Sequence, residues 1–193
     1  MLEGLDAPVY EVDKWTLSDV AGFRITRGVL ASADRPPAPE AADLLRLATH
    51  VAVLESLNDF ENLGALFRNA AAFGVDAVLL DPQCADPLYR RSVRVSMGHV
   101  LRVPFAVLPG SWPDSLELLA DFELFALTPR FDAVPLRTVA PPARWAVLLG
   151  AEGPGLTPAA LSHADRLVRI PMAEGVDSLN VATAAAVAFA HLA

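Results

Sequence analysis

Past position 50 the chain alternates short apolar runs with stretches whose apolar residues recur at helical spacing. The runs are Val51–Leu54, Ala77–Leu80, Phe105–Leu108, Leu124–Leu127, Ala146–Leu149 and Leu167–Ile170. Their length suits strands, and their lack of apolar and polar alternation suits strands buried on both faces. The pattern predicts an α/β fold, a parallel sheet covered by helices on both faces. Ahead of it, Asp34–Glu40 carries Pro36, Pro37 and Pro39 and reads as a stiff, extended linker. Residues 34–42 thus divide an N-terminal segment, 1–33, from the main domain, 43–193. In the segment, Pro8–Val12 and Gly28–Ala31 read as short strands around a helix near Leu17–Ala21. Such a small α+β unit is too short to bury its own core and reads as part of something larger.

Two helical stretches depart from a one-sided pattern. In Asn62–Phe73, the residues Leu63, Leu66, Phe67, Ala70 and Phe73 form a sheet-facing stripe. The opposite side carries Gly64, Ala65, Arg68, Ala71 and Ala72, small residues around one arginine, where a solvent face would be charged. A second close contact, with a subunit or a substrate, is expected there. Arg68 is accordingly expected to be buried or in a pocket, with Gly64 one turn earlier leaving space above its guanidinium. The last stretch, Leu179–Leu192, is apolar all round, so burial on every side is expected, and a homodimer interface would supply it.

The 193 residues suffice for one α/β domain and a small appendage, and 53% apolar with 20% charged residues places the chain among folded proteins. A net charge of −8 argues against coating nucleic acid by bulk electrostatics, so any RNA contact must be local. Lys14 is the sole lysine, and Arg90, Arg91, Arg94 and Arg102 form the one basic cluster, for which a solvated helix face is the plain explanation. Cys84 stands alone, excluding an internal disulfide, and His50, His99, His163 and His191 show no zinc-ligand spacing. Met1–Asp6 lacks the marks of a secretion signal, and the apolar stretch Val181–Ala193 is too short to span a bilayer. A soluble, cytoplasmic, metal-free protein is expected.

Three stretches carry candidate chemistry. The first, Asn62-x-Gly64-x-x-x-Arg68-Asn69, follows a strand; Asn62 also reads as a helix N-cap and Arg68 as an ion-pair partner. The second, Leu148–Pro158, runs from a strand through Gly150, Glu152, Gly153 and Gly155 to Thr157 as N-cap, with Pro158 at the first helical position. It is neither a P-loop nor a dinucleotide fingerprint, which weakens a generic nucleotide-binding enzyme. The third pairs Ile170-Pro171-Met172 with Gly175–Val181, where Ser178 reads as N-cap or as part of a polar ligand site at a helix start.

In this order the three stretches resemble the SpoU/TrmH family of RNA ribose 2′-O-methyltransferases, within the knotted SPOUT superfamily. The resemblance covers about residues 50–193, including Val93–Val100 and Arg102–Phe105. Residues 5–31, above all Gly22–Ala31, look like the tail of a small RNA-recognition domain that precedes many members, most of which would be missing here. The resemblance implies a C-terminal trefoil knot, a homodimer built on the knot region, S-adenosylmethionine as cofactor, and tRNA or rRNA as substrate. Thr128, Gly150, Glu152, Gly153, Ile170, Met172 and Leu179 fall at or near cofactor positions. Asn62, Arg68, Glu152, Ser178 and Asn180 match positions tied to catalysis and substrate placement, and Ala182 stands where many members have serine.

The implied reaction makes a ribose 2′-hydroxyl more alkoxide-like before it attacks the methyl of a sulfonium. A guanidinium stays protonated at any working pH, so Arg68 suits a stabiliser and hydroxyl-positioning donor better than a base. Deprotonation then falls to a phosphate, water or carboxylate, while Asn62, Glu152, Ser178 and Asn180 orient the reactants. A non-catalytic RNA-binding or ribosome-assembly protein on the same scaffold is the alternative.

Overall fold

Strand by strand, side chains alternate between two apolar layers. The computed structural model describes residues 6–26 and 28–193. The described chain divides into two units, residues 6–37 and residues 38–193.

In the second unit, β1 (His50–Glu55), β2 (Ala77–Leu80), β3 (Phe105–Val107), β4 (Glu123–Leu127), β5 (Val134–Pro135), β6 (Trp145–Gly150) and β7 (Arg166–Arg169) form one sheet. Its order is β3-β2-β1-β6-β4-β7-β5, with every pairing parallel. Ala52, Leu54, Val78, Leu80, Val147 and Leu149 point into one layer, with α3 (Phe60–Ala72) and α6 (Val181–Leu192). Val51, Val53, Ala77, Leu79, Ala146 and Leu148 point into the other, with α2 (Ala41–Leu47) and α5 (Pro158–His163). A strand with both faces covered needs apolar residues at consecutive positions, which is why these strands read as unbroken runs. Each of the six anticipated runs coincides with a strand to within one residue at either end; the two-residue β5 at the edge, too short to carry a pattern, was not anticipated.

Helix α3 starts one turn earlier than Asn62. Asp59 is its N-cap, accepting from the amides of Glu61 and Asn62 at 2.8 Å each, so the reading of Asn62 as cap is corrected. Leu63, Leu66, Phe67 and Ala70 form the sheet-facing stripe, fully buried. Gly64 does not open space for Arg68, because α4 (Arg90–Val95) packs directly on it. A Cβ there would lie 2.7 Å from the Ser92 carbonyl oxygen and 2.8 Å from the Val95 Cβ. Arg68 is neither buried nor pocketed, but exposed on α3.

At the C-terminal end, Asn180 and not Ser178 caps α6, its Oδ1 accepting from the amides of Ala182 and Thr183 at 3.0 and 3.2 Å. Burial on every side does not hold within one chain. Val181, Ala182, Ala185, Ala188, Phe189 and Leu192 are buried, while Thr183, Val187 and Ala190 are exposed. The helix end is tied down by the Trp145 indole N–H donating to the Leu192 carbonyl at 2.9 Å.

In the first unit, α1 (Lys14–Ala21) spans the expected helix, capped by Asp13 and ended by Gly22 in the left-handed region, φ 72°. The expected strands at Pro8–Val12 and Gly28–Ala31 are not formed; among the described residues neither stretch has a partner strand to bond. Residues 1–5 and Arg27, which belong to the stretches anticipated as an RNA-recognition remnant, lie outside the described residues. Ile25 is the only buried apolar residue among the described residues of this unit.

Gly64→Ala should force α3 and α4 apart against a rigid backbone carbonyl, at a cost of about 1–3 kcal/mol. Urea unfolding measures this, and an unchanged midpoint would contradict the packing argument.

Candidate functional site

The carboxyl ends of β4, β6 and β7 open into a cleft of about 480 Å³, the place where open α/β sheets offer room for ligands. Leu127, Leu149, Ile170 and Val181 give it apolar walls, and Thr128, Ser178 and Asn180 supply polar groups. Among the described residues, Glu152 is its only charged lining residue. Thr128, Gly150, Glu152, Gly153, Ile170, Met172 and Leu179, singled out from the sequence for a cofactor, all line this one cleft.

The β6 strand leads into it through a loop that folds back on itself. Ala151 and Gly155 form an isolated antiparallel bridge, with the Gly155 amide donating to the Ala151 carbonyl at 3.1 Å. Gly150 sits under this hairpin, where any Cβ would collide with the Gly155 backbone. The loop therefore closes tightly only over a glycine.

Behind the loop stands Glu55, a residue that sequence reasoning missed. It ends β1 opposite Gly150 in register and is buried. Its carboxylate accepts from the Thr157 amide at 2.8 Å, the Thr157 hydroxyl at 2.7 Å and the Trp112 indole N–H at 2.6 Å. Three donors compensate its burial and pin the residue at which the loop becomes α5. The available signal was an acid closing an otherwise apolar strand, Val51-Ala52-Val53-Leu54-Glu55.

Asn180 joins the cleft to the helices. Because its Oδ1 faces the α6 amides, its Nδ2 must face the other way, and it donates to Asn62 Oδ1 and to Glu152 Oε1, both at 2.7 Å. One side chain thus connects the start of α3, the glycine-rich loop and the start of α6. Asn69 adds a second tie, donating to the Ala182 carbonyl at 2.7 Å. Of the five residues expected from the sequence to serve catalysis, Asn62, Glu152 and Asn180 form one hydrogen-bonded group, and Glu152, Asn180 and Ser178 line the cleft while Asn62 stands behind it. Arg68 lies outside the cleft lining and makes no ion pair among the described residues.

Burial pushes the Cys84 thiol up to about 12, which removes it as a nucleophile. Among the described residues, no three His, Cys, Asp or Glu side chains are grouped to hold a metal ion. No helix of the described residues is long and apolar enough to cross a membrane.

Comparison with known proteins gives a consistent picture. Residues 49–190 match the model of the SpoU rRNA Methylase family. An uncharacterized tRNA/rRNA methyltransferase of Mycobacterium tuberculosis is 53% identical over 97% of this chain and 67% of its own length. The 23S rRNA (guanosine-2′-O-)-methyltransferase of Haemophilus ducreyi is 29% identical over 96% of this chain and 78% of its own. Among solved structures, the AdoMet-bound rRNA methyltransferase of Sinorhizobium meliloti superposes with a TM-score of 0.76, at 24% identity over 93% of this chain and 69% of that one. The chain therefore spans about two thirds of the mycobacterial relative and of that solved structure.

Asn180→Asp keeps the helix cap but replaces the donor facing Glu152 with a second carboxylate. Affinity for S-adenosylmethionine, the cofactor implied by the resemblance, should fall about tenfold or more, ~1.4 kcal/mol, and the melting temperature should drop by the equivalent of about 1–3 kcal/mol as the nearly buried Asn62 loses its donor. Asn180→Ala should add a cap loss of about 1 kcal/mol. Calorimetry and thermal melting separate the two, and an Asp variant that binds as the wild type would refute the role given to Asn180.

Proposed function

Because the chain belongs to the SpoU rRNA Methylase family, we propose that it transfers a methyl group from S-adenosylmethionine to a ribose 2′-hydroxyl of tRNA or rRNA. The observation that carries this reading is the Asn62–Asn180–Glu152 network at the cleft holding all seven residues expected to meet the cofactor. The cleft fits such a ligand in three respects. Its volume lies in the range of cofactor sites, a side chain at Gly150 would disrupt the loop that shapes it, and a lining whose one charge is Glu152 suits a cation. When bound, S-adenosylmethionine supplies an electrophilic methyl on a sulfonium.

The chain's own residues do the rest. Leu127, Leu149, Ile170, Leu179 and Val181 exclude water from the reacting end, and Thr128, Glu152 and Met172 hold the cofactor against them. Asn180 fixes Glu152 and Asn62, and Ser178 stands beside it to orient the ribose. Arg68, exposed and outside the cleft, acts from the substrate side, holding negative charge as it develops on the 2′-oxygen. It remains protonated throughout, so the proton passes to a water, a phosphate oxygen or a carboxylate.

Three finer parts of the reading have separate support. After β7, residues 170–180 carry the chain back to α6, which packs on α3 and β6, a return of the kind a C-terminal trefoil knot requires. The exposed stripe Thr183, Val187 and Ala190 on α6 gives a homodimer its contact. In the N-terminal segment 1–33, joined through the linker 34–42 to the methyltransferase domain 43–193, Tyr10 is 83% and Trp15 84% exposed, which suits RNA recognition. Such an enzyme works in the cytoplasm, where its RNA is made.

In a calorimetric titration the chain should bind S-adenosylmethionine saturably in the micromolar range and ignore ATP and NAD; no binding would overturn the proposal. Arg68→Ala should abolish methyl transfer and keep that affinity, and wild-type turnover in the variant would remove Arg68 from the mechanism. Light scattering at micromolar concentration should give twice the chain mass of 20.5 kDa, whereas the single mass would refute the dimer.

A further inference from the structure

Residues 87–113 contain Arg90, Arg91, Arg94 and Arg102 and no aspartate or glutamate, in a chain whose net charge is −8. All four arginines are exposed, on α4 and just after it. Arg91 is paired with Glu61 of α3. Arg94 and Arg102 have no ion pair among the described residues. At the start of α4, Tyr89 is 52% exposed, its ring braced by Phe60 with centroids 4.2 Å apart.

Arg68 shares this side of the molecule. It lies two turns along α3 from Glu61, on the stripe that Arg91 reaches from α4. Its link to the cleft is the start of α3, where Glu61 pairs with Arg91 and the next residue, Asn62, accepts from Asn180 of the cleft lining.

We propose that the face formed by Tyr89, Arg94, Arg102 and Arg68 is the track on which a single-stranded or looped segment of the substrate RNA lies. Phosphates meet Arg94 and Arg102, and a base stacks on the open side of Tyr89. The inference rests on the methyltransferase reading for the identity of the polyanion. Acidic groups elsewhere repel that polyanion, whereas residues 87–113 carry no acid of their own and the nearby Glu61 is neutralised by Arg91. A braced, half-exposed aromatic ring in the same stretch of chain as arginines without ion pairs matches the pairing of base stacking with phosphate contact that single strands use. An anionic membrane would meet the same arginines and also seats tyrosine at its interface, so the preference for RNA comes from the methyltransferase reading and vesicle binding is an outcome of the test.

The test titrates the full chain against a fluorescein-labelled, mixed-sequence single-stranded RNA of about 15 nucleotides, by anisotropy over a range of salt. Arg94→Glu with Arg102→Glu should weaken binding at least about tenfold and reduce the salt slope by about 1.4, two phosphates at about 0.7 each. Tyr89→Ala should weaken it about fivefold or more with the slope unchanged. Arg46→Glu with Arg137→Glu makes the same charge change elsewhere and should stay within about threefold of wild type.

Equal losses in the two double variants would overturn the proposal, since binding would then follow bulk charge. So would a wild type that ignores the RNA, or one that binds phosphatidylserine vesicles through Arg94 and Arg102 in its place. Thermal melting confirms that each variant is folded. S-adenosylmethionine calorimetry on the same samples reports separately on the enzyme: RNA bound through this face by a chain that ignores the cofactor keeps the track and sinks the methyltransferase.

Discussion

Four hydrogen bonds at Asn180 hold the cleft together. The helix cap dictates the orientation of the amide: with its oxygen committed to the amides of Ala182 and Thr183, the nitrogen can only donate outward. Asn62 is nearly buried, so leaving its oxygen without that donor would cost about 1–3 kcal/mol. The contact is thus fixed from both ends, and Glu152 is drawn to the same nitrogen. Glu55 holds the far end of the glycine-rich loop from beneath the sheet through Thr157. A loop held at Glu152 by a helix cap and at Thr157 by a buried carboxylate has little freedom between, and Gly150 allows the backbone to close over that span.

The sheet was legible because burial on both faces writes itself into sequence as unbroken apolar runs, and the strands coincide with them to within a residue or two at either end. What misled was local capping chemistry. Asn62 and Ser178 each stand near a helix start and each is of a type that suits an N-cap, yet Asp59 and Asn180 take those places. A capping preference ranks residue types; it does not know that Asn62 is needed by a partner 118 residues away. The candidate cleft residues were legible through their resemblance to a family, whereas Glu55 and Asn69 were not, because their partners, Thr157, Trp112 and Ala182, are remote in sequence.

Arg68 shows the same limit from the other direction. A face of small residues was taken to shelter it, but Gly64 serves a close crossing of α3 and α4, and the arginine stands on the open side of the helix. Both facts follow from angle. Asn62 and Asn69 are seven residues apart and point together toward α6, where Asn180 and Ala182 receive them. Arg68, one residue before Asn69, is turned about 100° from that direction. A single helix therefore presents amides to the start of α6 and a cation to the surface.

That separation has an electrostatic reason on the proposed reading. A sulfonium is positive, and a guanidinium within about 4 Å of it at an effective dielectric of 20 would repel it by about 4 kcal/mol before screening. A cleft lined by Glu152 alone among charged residues avoids that cost, at the expense of having no cation to steady an oxygen becoming negative. The second requirement arises only when the ribose arrives, so it is best met from the side the ribose comes from. Arg68 on the outer stripe of α3 satisfies both conditions: absent from the lining that would hold the cofactor, and present on the same helix as the Asn62 that the network uses.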